Sequence, residues 1–140
     1  MIKQFVALLA LGLVFCTSAL YADERTILEK VESSARSWLE WVDSGEYQQS
    51  WEKSSSLFKA KTPESEWVKS IAAIRAPRGS VNARYIATAG STKELAGFPK
   101  GEYVVLQFYT TFAKKGLVLE TVTLAKQQDE TWQISDYSIK

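Results

Sequence analysis

The sequence predicts an α+β domain in which three N-terminal helices cover one face of a four-stranded antiparallel meander. Three observations carry that expectation. From Asp23 to Arg75 apolar residues recur every three or four positions, whereas from Ser80 onward they alternate with a period of two. The change of period falls at Ala76-Pro77-Arg78-Gly79, where proline cannot continue a helix and pushes the residue before it into an extended conformation. The turns at Ala113-Lys114-Lys115-Gly116 and Gln127 to Glu130 leave no room for a crossover between parallel strands, so neighbouring strands run antiparallel.

Ahead of the domain, Lys3 and the apolar run Phe5 to Phe15 read as the charged and hydrophobic regions of a secretory signal peptide, with cleavage after Ala22. The apolar run is too short to span a bilayer. Leu13-Val14-Phe15-Cys16 also resembles a lipobox, with Phe15 where that motif takes a small residue, so a lipoprotein anchored at Cys16 is the alternative address. On this reading residues 1–22 are the leader, residues 23–140 form one domain, and the destination is the periplasm or the exterior.

The first helix is expected over Asp23 to Ser44, with Ile27, Val31, Ala35, Trp38 and Val42 on the buried stripe and Glu29, Glu32, Arg36 and Glu40 mostly opposite. Thr26 and Glu29 have capping-box spacing, and Gly45 supplies a left-handed stop. Glu46 to about Phe58 reads as a second helix built on Tyr47 and Trp51, weakened by Ser50 and Ser54 to Ser56. The third begins with Thr62 as cap, Pro63 in the first turn and Glu64 and Glu66 at the positive end of the dipole. It buries Trp67, Ile71 and Ile74. Strands follow at Val81–Thr88, Glu102–Phe112, Leu117–Lys126 and Thr131–Ile139, with a polar loop over Ala89–Lys100. In the second strand Val104, Leu106, Phe108 and Phe112 share the inner face.

Composition excludes several chemistries. The chain has 17 basic and 16 acidic residues, one cysteine and no histidine. Removing a leader that contains Lys3 and Cys16 leaves a near-neutral domain, which offers no electrostatic case for nucleic acid or an anionic membrane. With neither cysteine nor histidine, the mature chain forms no disulfide and no thiolate or imidazole metal site. No cofactor or metal is expected, and no EF-hand loop is present.

Several spaced motifs, W-L-E-W-V-D-S-G-E-Y-Q-Q-S-W, I-R-A-P-R-G, F-P-K-G-E-Y-V-V-L-Q-F-Y-T-T-F, L-E-T-V-T-L and W-Q-I-S-D-Y-S-I, together resemble the bacterial family catalogued as domain of unknown function 4019. The resemblance spans about Ile27 to Ile139 and implies small exported proteins with no established activity. More distantly the layout looks like the nuclear-transport-factor-2-like, or cystatin-like, fold, which implies a curved, cone-like sheet enclosing a pocket. Enzymes of that superfamily commonly use an Asp/His pair, and this chain has no histidine.

Glu120 is the leading candidate for a ligand-binding residue. Alternation places it with Val118, Val122 and Leu124, so a carboxylate lies among aliphatic groups and must be paired or neutralised. The bland readings are an ion pair with Arg75 or Arg84, or a register shifted by one residue. Arg75 is the candidate partner of Glu120 or of an anionic ligand, against simple capping of the third helix. Trp51 and Trp67 are candidate ligand platforms, against the usual fate of such rings as core. Tyr103, Val105, Tyr109, Leu117 and Leu119 make the outer sheet face more apolar than solvent exposure requires, which points to a sheet-to-sheet homodimer or to shielding within a monomer. The expected function is an exported, non-catalytic binding or accessory module of the envelope, holding a small molecule or a protein. The alternative is a small hydrolase or isomerase that uses Glu120 with a tyrosine such as Tyr109.

Overall fold

The computed structural model describes the backbone of residues 16–140 and the side chains from Asp23 onward. The hydrophobic region expected of the leader and the side chain of Cys16 lie outside the described residues. Among those described, four α-helices and a short 3-10 turn precede four strands, and no helix is long and apolar enough to cross a membrane.

Helix α1 (Cys16–Asp43) runs unbroken through Thr26, so the capping-box spacing there does not mark a helix start. Its buried face begins at Val31 and continues through Ala35, Trp38, Leu39 and Val42. Ile27, expected on that stripe, is 40% exposed because the helix extends past the surface it covers. At the other end Gly45 adopts φ +78° and the Glu46 N–H returns to the Trp41 carbonyl at 2.8 Å, which closes the helix.

The single helix expected after this corner is two. Helix α2 (Tyr47–Glu52) stops at Lys53, and helix α3 (Ser56–Lys61) starts afresh with Ser55 as its cap. The serines that weaken the segment have structural partners. The Ser55 hydroxyl accepts from the Phe58 N–H and meets the Ser135 hydroxyl at 2.8 Å, while the Ser55 N–H donates to the Ile134 carbonyl. The break therefore fastens the helical layer to the last strand.

Helix α4 (Glu64–Arg75) is capped by Pro63, one residue later than expected, and continues into the 3-10 turn Ala76–Arg78. Its buried stripe is Trp67, Ile71 and Arg75, and Ile74 faces outward. The i,i+4 step carries the stripe to the arginine where an i,i+3 step would have reached the isoleucine.

Strands β1 (Val81–Thr92), β2 (Tyr103–Phe112), β3 (Gly116–Lys126) and β4 (Trp132–Ile139) form one antiparallel sheet in sequence order. β1 is longer than expected because it stays paired through Thr92↔Tyr103, and a bulge between Ile86 and Thr88 adjusts its register. Val104, Leu106, Phe108, Phe112, Val122, Leu124 and Ile134 are buried on the inner face, as alternation requires. On the outer face, Tyr103 is covered by the β1–β2 loop: Phe98 packs edge-on at 5.6 Å and the Tyr103 hydroxyl donates to the Pro99 carbonyl. The rest of that face, with Tyr85, Tyr109 and Leu117, is open.

The centre of the core is aromatic. Trp38, Phe58 and Trp67 pack with centroid distances of 4.9–6.2 Å, and their polar edges are satisfied internally. The Trp38 N–H donates to the Ser50 carbonyl at 2.8 Å, and the Trp67 N–H donates to the Ser50 hydroxyl at 2.9 Å. Trp67→Ala removes a ring that is only 7% exposed and one of the bonds of that hydroxyl, so urea unfolding should report a loss of about 3–5 kcal/mol. A loss below about 1 kcal/mol would contradict this packing.

Candidate functional site

β3 alternation turns Glu120 inward, where its side chain is 0% exposed. Three donors meet its carboxylate. Oε1 accepts from Arg84 Nε at 2.7 Å and from the Thr110 hydroxyl at 2.5 Å, and Oε2 accepts from the Tyr137 hydroxyl at 2.5 Å. Sheet register brings them together. Arg84 lies opposite Thr110 across β1 and β2, Thr110 lies opposite Val118 across β2 and β3, and Tyr137 lies opposite Val122 across β3 and β4. Each is within one inward step of Glu120 along its strand pair.

The network extends into the helices. The far edge of Arg84 grips Asp43, the last residue of α1, with Nη1 to Oδ2 at 2.7 Å and Nη2 to Oδ1 at 3.0 Å. Arg75 Nη2 adds a bond to Oδ1 at 2.8 Å. A carboxylate at the negative end of a helix dipole is unfavourable by itself, and the two guanidinium groups reverse that. Two arginines and two carboxylates thus balance, with one residue drawn from each of α1, α4, β1, β2, β3 and β4 when Thr110 and Tyr137 are included.

Burial by itself acts to lower the Arg84 pKa, but its hydrogen bonds to Asp43 and Glu120 and their negative charges outweigh it and hold the cation firmly protonated. Burial, followed by the charge and hydrogen bond of Glu120, pushes the Tyr137 phenol well above its ordinary value of 10.0. Tyr137 therefore remains a donor.

The four residues singled out from sequence do not line one pocket. Glu120 is paired to Arg84, one of the two arginines considered. Arg75, 5% exposed, bonds Asp43 and lies over the Phe112 ring at 4.8 Å; Nε and Nη1 have no hydrogen-bond partner among the described residues. The bond to a carbonyl at the end of α4 comes instead from Arg78, whose Nη1 donates to the Ile74 carbonyl. Trp67 lies in the aromatic core. Trp51 is half-buried, donates to the Thr62 carbonyl at 2.8 Å and carries the Lys59 amine over its ring. Glu120 and Arg75 share one network, linked through Arg84 and Asp43, and Glu120 approaches Trp67 through Tyr137, whose ring lies 6.2 Å from Trp67; Trp51 stands apart.

Tyr109, named from sequence as the phenol beside Glu120, is on the opposite face and 52% exposed. Alternation along β2 sends it outward, and Tyr137 fills the role. Sequence reasoning also missed Asp43 and Thr110. The signal for Asp43 was its place at a helix C-terminus, which calls for cations. Thr110 follows the inward pattern of Leu106 and Phe108 but was passed over as polar. Among the described residues no group of three His, Cys, Asp or Glu side chains is placed to hold a metal ion.

Removing one member of a buried ion pair leaves its partner's charge unmet, so Arg84→Met should lower unfolding free energy by about 3–5 kcal/mol. Arg84→Lys should recover only part of that, since one ammonium cannot reproduce the separate contacts with Glu120 and Asp43. Equal stability of the lysine variant and the parent in urea titration would contradict the two-sided role. Because the folded-state pKa of Tyr137 is raised, its contribution is complete below the unfolded value of 10.0 and is lost as pH rises beyond it. Stability should decline above pH 10 with a component of about 1.4 kcal/mol per pH unit, and Tyr137→Phe should abolish that component. An unchanged slope in the phenylalanine variant would refute the assignment.

Comparison with curated proteins finds no match for this chain. A family model described as protein of unknown function (DUF4019) matches residues 34–137, which takes in Asp43, Arg75, Arg84, Thr110, Glu120 and Tyr137. The match covers more than half of the sequence, and the chain belongs to the DUF4019 family.

Proposed function

We propose that this protein is an exported, non-catalytic binding or accessory module of the bacterial envelope. The observation that carries the reading is the state of Glu120. Its side chain is fully enclosed, and both of its oxygens are taken by Arg84, Thr110 and Tyr137. A general acid or base must come within hydrogen-bond reach of a substrate proton, and a carboxylate enclosed to 0% exposure with both oxygens engaged by the protein presents none of its surface to a substrate. The tyrosine beside it is the feature an isomerase would share, but here the phenol is a structural donor whose ring packs on Trp38 at 5.5 Å. Export is supported by the arrangement of Lys3, the apolar run to Phe15 and Ala22. The interaction surface is sought outside the core, and the open part of the outer sheet face, with Tyr85, Tyr109 and Leu117, suits a second copy of the chain.

Native mass spectrometry of the protein taken from the envelope of its own cells tests the reading. The expected spectrum shows a chain beginning at Asp23, with additional mass that is released on unfolding or a dimer. A chain that retains residues 1–22, or a bare monomer without bound mass, contradicts it.

A further inference from the structure

A hollow of about 320 Å³ is lined by the apolar and aromatic residues Ile27, Tyr103 and Trp132 together with the charged residues Lys93, Glu102 and Lys126. The volume is at the small end of the range for small-molecule sites. Ile27 remains substantially exposed here, and Trp132 is only half-buried although most large apolar side chains of the domain are enclosed. Part of the polar lining is already committed. The Tyr103 hydroxyl is committed to the Pro99 carbonyl, and one Glu102 oxygen is engaged by the Lys126 amine at 3.1 Å. Among the described residues, the Lys93 amine and the Trp132 indole N–H have no hydrogen-bond partner. What remains is a pair of donors, one of them a cation, and the second Glu102 oxygen, beside aromatic and aliphatic side chains; with Glu102 and Lys126 paired, the charge of Lys93 is in excess.

Two larger hollows differ in chemistry. One of about 720 Å³ is bordered by Glu46 and Glu52, and one of about 760 Å³, which shares Trp132, by Glu29, Asp129 and Glu130 against Lys30. Clustered carboxylates disfavour an anion at either. The Trp132 hollow combines apolar walls with two lysines against one glutamate.

We propose that this hollow binds a small apolar anion, a carboxylate or sulfonate on a compact aromatic or branched body, with Ile27 and Trp132 against the body and Lys93 against the charge. The proposal rests on the binding-module reading and names its ligand class. The probe is 1-naphthoate, followed by ¹⁵N NMR of the backbone amide and indole N–H signals, with the Trp132 indole signal assigned by Trp132→Phe. That signal should shift saturably. Lys93→Glu should weaken binding about fivefold, as expected for reversal of one exposed charge contact, and neutral 1-naphthalenemethanol should be weakened similarly. A Trp132 signal that does not saturate below about 10 mM, or equal affinity for the acid and the alcohol, overturns the proposal. Saturable shifts confined to Tyr109 and Leu117 overturn it too, but leave the binding-module reading standing. That reading fails separately, on the mass spectrum of the envelope protein.

Discussion

The rest of this structure depends on the need to neutralise two carboxylates that the fold places where water does not suffice. Asp43 ends α1 at the negative pole of its dipole, and Glu120 is carried into the interior by the pleat of β3. Arg84 answers both. Its Nε faces Glu120 and its two Nη groups face Asp43, so one planar cation joins the helical layer to the sheet. Coulomb attraction in so sheltered a place is strong, yet removing four charges from water is expensive, and the net gain in stability is modest when every partner is present. The network is more effective at excluding alternatives, because a one-residue slip of β3 would expose Glu120 and leave Arg84 half-unpaired.

Tyr137 connects this polar cluster to the apolar core. Its hydroxyl donates to Glu120 while its ring packs against Trp38 and Trp67. The same economy appears at Ser50, whose carbonyl and hydroxyl receive the indole N–H groups of those two tryptophans. Large aromatics deliver burial, and their single polar atoms are placed on backbone or serine partners so that none is stranded. The aromatic core organised in this way is filled, and its indole and phenol groups are satisfied internally. That is the physical ground for seeking binding at the periphery.

Much of this architecture was legible in the amino-acid order. The change from a helical to an alternating period at Pro77 located the boundary between layers, and alternation placed Glu120, Val122 and Leu124 on one face. Local pattern failed where long-range contacts decided. The second helix divides because Ser55 finds β4, a partner eighty residues away, and Arg75 displaces Ile74 from the buried stripe because Asp43 awaits it. The outward position of Tyr109 follows from alternation along β2, so it was never within reach of Glu120. Identifying Tyr137 required the register of β4, which shifts between Thr123 and Leu124. Such shifts follow from pairing and are not written in the hydrophobic pattern of either strand.

The central claim is that Glu120 is sealed and held by donors from the protein itself. Hydrogen exchange at those donors tests it most directly, because protected protons report enclosure without any change to the sequence. The account predicts that the Arg84 Nε–H and the Tyr137 hydroxyl proton are both resolved by NMR and exchange with water at the slow rate of the β3 core amides. Exchange of either at the rate of a freely solvated side chain would mean that water reaches the carboxylate, and would contradict the account.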